Sequence, residues 1–122
     1  MPREFTRADR VSSKMMRVLA ELIQHSVKDP RLGFVTVNDV DVSRDLAVAR
    51  IFISVLNAEE SERQRNLDVL THAAPFLRRE LSKQLRMRAV PELRFVYDDS
   101  IERGMRMDRI LGDLGQDDDE SE

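Results

Sequence analysis

Cysteine is absent from the 122 residues, so no disulfide framework, thiolate nucleophile or Cys-based metal site is available. Its absence suits a reducing, cytoplasmic setting. Tryptophan is also absent, with one tyrosine and five phenylalanines. A surface that holds single-stranded bases by stacking them on aromatic rings is therefore poorly supplied. Histidine occurs twice, at His25 and His72, each on a helical stretch without a metal-ligand partner at the usual spacing. No glycine-rich phosphate loop with a following lysine is present. Clustered carboxylates for phosphoryl transfer cannot be assembled either, so neither an enzyme nor a cofactor or metal is expected. No apolar run approaches a membrane span, and the opening MPREFTRADR lacks the apolar stretch of a secretory signal. These features predict a soluble, cytoplasmic protein with no membrane attachment.

What the chain has in quantity is charge: 35% of residues, with a formal net charge of -3. Distribution matters more than the sum. Residues 117–122 read DDDESE and hold five of the 23 acidic residues, which leaves 20 basic against 18 acidic in the body. The basic residues cluster. Arg3, Arg7, Arg10, Lys14 and Arg17 fall within residues 1–17, and Arg78, Arg79, Lys83, Arg86, Arg88 and Arg94 within residues 76–94. Most are arginine, whose planar fork of donors matches phosphate. The competing reading is a solvated surface laced with ion pairs.

Hydrophobic periodicity supplies the elements. Thr6 with Asp9 forms a capping pair, and Val11, Met15, Val18 and Leu22 follow at helical spacing, with the basic residues on the opposite side. Lys28-Asp29-Pro30 stops this helix. Residues 34–42 read as a strand. Val35 and Val37 have one parity and Val40 and Val42 the other, which predicts a bulge near Asn38–Asp39. Ser43-Arg44-Asp45 makes a hairpin turn into a second strand over 46–56, apolar on both sides and so central. Asn57 with Glu60 resembles a capping box. Pro75 divides the next region into helices over 59–74 and 75–88, or one sharply kinked helix. Leu93, Phe95 and Tyr97 alternate in a third strand over 92–97, and a short helix is expected from Ser100, capped by Asp98-Asp99, with Ile101, Met105 and Leu111 on one side. The order α-β-β-α-α-β-α predicts an α+β fold in which strands one and two form an antiparallel hairpin and strand three runs parallel to strand two. One domain over 1–111 with helices on one face of a three-stranded mixed sheet satisfies this. Residues 112–122 form an acidic tail, expected to be disordered.

That order matches the type II KH topology. The segments KDPRLG (28–33), SRDL (43–46), MRAVPELRFVYDDS (87–100) and GMRM (104–107) together resemble the bacterial ribosome-binding factor A family, over roughly residues 3–111. The resemblance implies a late-acting assembly factor that binds free small ribosomal subunits or their precursors. It implies contact with small-subunit rRNA, help with maturation of its 5′ region, support of growth in the cold, and release by an assembly GTPase. The family carries an Ala-x-Gly kink between its central helices in place of the GxxG loop of KH domains. Here the sequence reads Ala73-Ala74-Pro75, so the bend passes from a permissive glycine to an excluding proline, and Pro75 has no N–H to offer a phosphate.

The RNA-contact candidates are then the helix from Pro75 with Arg78, Arg79, Lys83 and Arg86, and Arg88 nearby, followed by the stripe Arg7, Arg10, Lys14 and Arg17 with Arg3 ahead of it. Arg44 sits at the hairpin tip, where Asp45 either pairs with it or stabilises the turn. The literal GxxG at 112–115 lies beside the acidic tail and reads as a helix stop. Phe52, Phe76 and Phe95 read as core. Tyr97 reads as core or, at a strand end, as a stacking residue. A monomer is expected. A protein–protein adaptor on the same fold is the competing function, and it predicts an exposed apolar patch.

Overall fold

Thr6 opens the first helix as its spacing to Asp9 predicts. The Asp9 N–H donates to Thr6 Oγ1 at 3.1 Å, and the Thr6 N–H donates to the Asp9 carboxylate at 3.0 Å, so two orphan donors are satisfied reciprocally. The computed structural model describes residues 6–99. Helix α1 spans Arg7–His25 and buries Ala8, Met15, Leu19, Leu22 and Ile23. It ends before Lys28-Asp29-Pro30, at Ser26, whose N–H donates to the Leu22 carbonyl at 2.8 Å. The KDPRLG segment is a turn of its own. Asp29 accepts from the Arg31 backbone N–H at 2.9 Å and from its guanidinium at 3.1 and 2.8 Å. These bonds lower the Asp29 pKa from 3.8 to about 2.

Strands β1 (Val35–Val42) and β2 (Val48–Val55) pair antiparallel, and β3 (Glu92–Tyr97) pairs parallel with β2. The sheet order is β1-β2-β3, which places β2 in the centre. The expected bulge is present. Val37 pairs with Ile53 and the next pair is Asp39 with Phe52, so Asn38 is the extra residue. The insertion resets the alternation and lets Val37, Val40 and Val42 all be buried. The Asn38 side-chain amide then bonds Ser54 Oγ at 3.2 Å and Asp98 at 2.8 Å. In the hairpin turn Asp45 stabilises the loop rather than pairing with Arg44. It accepts from Ser43 Oγ at 2.7 Å and from the Ala47 N–H at 3.0 Å, which lowers its pKa. Leu46 adopts a left-handed φ of 61°, so β2 starts at Val48 and not at Leu46.

Helix α2 is the main correction to the sequence reading. It runs without interruption over Glu60–Leu85 with Pro75 inside it, so two central helices are not formed. At 26 residues it is about 39 Å long. Pro75 removes one helical bond, the one to the Thr71 carbonyl, which costs roughly 3 kcal/mol in a helix interior. Thr71 and Pro75 are both exposed, so water can reach the abandoned carbonyl and the ring crowds no packed side chain. Ala73 and Ala74 pack partly buried against the core on either side of this helix turn. The helix start differs as well. Asn57 is left-handed with φ of 57°, and the cap falls at Glu59, whose N–H donates to Glu62 at 2.9 Å.

The core lies between one face of the sheet and the two helices. Met15, Leu19, Ile51, Ile53, Leu70, Leu77 and Leu81 are fully buried there, each contributing about 1.5–3 kcal/mol. One polar side chain joins them. Asn66 is 2% exposed; its carbonyl oxygen accepts from the Gly33 N–H at 2.7 Å and its amide donates to the Glu62 carbonyl at 2.7 Å. A Cβ at Gly33 would lie 3.0 Å from a Val55 methyl, so a side chain there would press on Val55 at this close approach of loop to sheet. Tyr97 is core and structural. Its hydroxyl accepts from the Val55 N–H at 3.0 Å and donates to the Val55 carbonyl at 3.3 Å, and Arg63 covers its ring at 4.8 Å. The short helix expected from Ser100, its cap at Asp98-Asp99, the GxxG and the acidic tail extend outside the described residues.

Candidate nucleic-acid interface

The spacing Arg7, Arg10, Lys14 puts three cations one turn apart on the exposed side of α1. Ser12 Oγ in the same stretch accepts from the Val42 N–H at 3.2 Å, which anchors this end of the helix to the sheet beside the hairpin that carries Arg44. The end of α2 arrives at the same place. Arg86 terminates α2 in a left-handed conformation with φ of 55°, a geometry that favours glycine. The turn that holds it is braced twice: the Met87 N–H donates to the Ser82 carbonyl at 3.2 Å, and Ser82 Oγ donates to the Met87 carbonyl at 2.8 Å.

Arg7, Arg10, Val11, Lys14, Leu85, Arg86 and Met87 line one open groove of about 300 Å³. The two basic stripes of the sequence thus meet at one groove, the second through Arg86. No described carboxylate pairs with Arg7, Lys14 or Arg86. A groove with several cations and little counter-charge concentrates anions, and its apolar floor at Val11, Leu85 and Met87 limits screening by water. The C-terminal end of α2 carries the negative pole of the helix, which favours cations there by about 0.3–1 kcal/mol.

The other candidates divide. Arg17 is exposed on α1, beyond the residues that line the groove, and Arg79 and Arg88 are exposed on α2 and after it. Lys83 is exposed but pairs with Glu80 at 3.3 Å. Arg78 is exposed on α2, and its guanidinium also donates to the Val90 carbonyl at 2.7 Å, tying α2 to the segment that enters β3. Arg3 lies outside the described residues. Sequence reasoning missed the convergence itself, the Arg78 latch and the buried Asn66. Only Asn66 left a signal, a polar residue four positions before Leu70 on the apolar stripe. Among the described residues, no group of three or more His, Asp or Glu is placed to hold a metal ion.

With this geometry in view, the likenesses to known proteins are specific. The family model described as "Ribosome-binding factor A" matches residues 7–111. Ribosome-binding factor A of Chromohalobacter salexigens is 48% identical over 117 residues, covering 95% of this chain and 89% of that one. The Alkalilimnicola ehrlichii protein is 44% identical over 118 residues, covering 97% and 91%. Among solved structures, the crystal structure of ribosome-binding factor A from Thermus thermophilus superposes with a TM-score of 0.63 at 32% identity, covering 74% of this chain and 94% of that one. Coordinates of the Thermus thermophilus factor fitted into a cryo-EM map of a 30S complex give a TM-score of 0.64 at 33% identity, covering 77% and 98%. By sequence over most of its length and by the arrangement of its sheet and helices, this chain belongs to the ribosome-binding factor A family.

Proposed function

We propose that the chain is a ribosome-maturation factor that docks on the small ribosomal subunit through the groove between α1 and the end of α2, gripping the phosphate backbone of small-subunit rRNA. The observation that carries this reading is the meeting of Arg7, Arg10, Lys14 and Arg86 in one groove. A left-handed arginine where glycine is favoured supports it, because strain of this kind persists where position matters. The 30S complex of the Thermus thermophilus relative supports the choice of partner. Arg17, Arg79, Lys83 and Arg88 extend the contact along the flanking helix faces, and Arg44 adds one at the hairpin tip. Sparse aromatics fit recognition of RNA shape and backbone better than reading of unpaired bases. The proposal extends to the finer role implied by family likeness: late maturation of the rRNA 5′ region in the cytoplasm, support of growth in the cold, action as a monomer, and release by an assembly GTPase.

The test is co-sedimentation of the tagged chain with ribosomal particles at low and high salt. Recovery with free small subunits and their precursors, absent from translating ribosomes and declining as salt rises, is the expected result. Salt-independent recovery overturns it. One observation favours a second reading, the protein–protein adaptor. Phe34 and Leu56 are 66% and 65% exposed, and the Leu56 N–H donates to the Phe34 carbonyl at 3.1 Å, so both project from the same end of the sheet. Salt-independent recovery abolished by Phe34→Ser with Leu56→Ser would transfer the function to that patch.

A further inference from the structure

Leu85, Arg86 and Met87 form the α2 side of the groove. They are consecutive, and in a continuing helix consecutive side chains point about 100° apart and do not face one opening. The left-handed backbone at Arg86 turns the chain sharply and brings all three to the same wall. For a residue with a side chain this conformation costs roughly 1–2 kcal/mol, so something must hold it.

Ser82 supplies the hold. Its carbonyl accepts from the Arg86 N–H, which caps the helix, and from the Met87 N–H at 3.2 Å. Its hydroxyl donates to the Met87 carbonyl at 2.8 Å. Together these bonds clasp the backbone on both sides of the Arg86 Cα. The first two are backbone bonds, open to any residue at position 82. The third belongs to the side chain. A serine inside a helix commonly turns its hydroxyl back to the carbonyl four residues earlier. This one reaches five residues forward, past the helix end. Alanine would suit the helix better, so the turn explains the hydroxyl and the helix does not. Arg78, one helical turn before Ser82, fastens the far end of the same segment at the Val90 carbonyl. Both ends are held before any anion arrives, which spares the cost of ordering them on binding.

We infer that Ser82 is a positioning residue for the groove: through the Met87 carbonyl it keeps Arg86 left-handed, so that Leu85, Arg86 and Met87 present one wall to a phosphate backbone. The inference rests on the reading of the groove as the RNA-docking site. It carries a corollary. Glycine enters the left-handed region freely, so with glycine at position 86 the hydroxyl becomes superfluous.

The test is a double-mutant cycle on the full chain, read as filter binding to free small subunits, with thermal unfolding confirming that each variant folds. Ser82→Ala should weaken binding about fivefold, the change that one hydrogen bond of about 1 kcal/mol yields. Ser82→Thr, which keeps the hydroxyl, should bind as the parent does. Arg86→Gly should itself weaken binding several-fold, and adding Ser82→Ala to it should weaken binding no further. Equal weakening by Ser82→Ala in both backgrounds overturns the inference, since the effect would not pass through Arg86. So does a loss with Ser82→Thr equal to that with Ser82→Ala, or full affinity in Ser82→Ala beside weakened binding in Arg86→Gly. These outcomes leave the groove standing. Full affinity in Arg86→Gly removes the groove reading and the inference together.

Discussion

The groove and the outer face of the sheet both carry arginine, and they treat it in opposite ways. On the outer face Arg50 pairs with Asp41 and Arg94 with Glu92, each at 3.1 Å. At the groove Arg7, Lys14 and Arg86 have no described carboxylate within pairing distance. Exposed ion pairs of the first kind contribute about 0–1 kcal/mol and present little net field. Cations of the second kind repel one another in the free protein and recover that cost only when an anion arrives. Counting basic residues cannot separate the two situations; the position of the acids does.

The largest effect is expected from reversing charge in the groove. Lys14→Glu with Arg86→Glu should weaken binding to small subunits by about a hundredfold, roughly 2.7 kcal/mol. The salt dependence should also become shallower, by about 0.7–0.9 in logarithmic slope for each phosphate left without its cation. Arg50→Gln with Arg94→Gln should leave both quantities nearly unchanged. Equal weakening in the two variants, measured by filter binding across salt concentrations, would erase the distinction.

A smaller effect tests whether Arg86 is held where it is for function. Arg86→Gly relieves a left-handed backbone and should stabilise the fold by about 1 kcal/mol in thermal unfolding, while removing one groove cation and lowering affinity several-fold. Stability and affinity moving in the same direction would count against the groove reading.

The smallest concerns an arginine that is fully committed. Arg31 lowers the Asp29 pKa from 3.8 to about 2. A carboxylate with a depressed folded-state pKa adds stability that is present above about pH 4 and disappears as pH falls toward 2. An NMR titration of Asp29 should show a midpoint near 2, shifted back toward 4 in Arg31→Gln, with binding to small subunits at neutral pH unaffected.

Much of the fold could be read from local pattern. The Thr6–Asp9 box and the parity switch from Val37 to Val40 each have a short-range cause, so the helix start and the bulge came out as predicted. Errors arose where tertiary packing overrode local rules. Proline argues for a break at residue 75, but Leu70, Leu77 and Leu81 on one continuous buried stripe outweigh a single missing hydrogen bond on the exposed side. Asn57 looks like a cap, yet a left-handed backbone there moves the cap to Glu59. Phe52 is buried, as its chemistry predicts, and its register places it on the face of the central strand opposite the helices. The site was half legible. Both stripes were visible as spacing along the chain, but their union depends on the crossing of α1 with the end of α2, and no local signal reports that. Nor does the sequence show that Arg78, among five basic residues in eleven positions, is the one spent on the Val90 carbonyl.

The bulge at Asn38 has a consequence for crowding. β1 lies at the border of the sheet, where an exposed ladder of amides and carbonyls invites a foreign strand to add itself. The extra residue breaks the even spacing of that ladder midway. A second copy approaching strand to strand would meet a mismatched register. The feature that lets three valines serve the interior therefore also guards the margin of the sheet against self-association at high concentration.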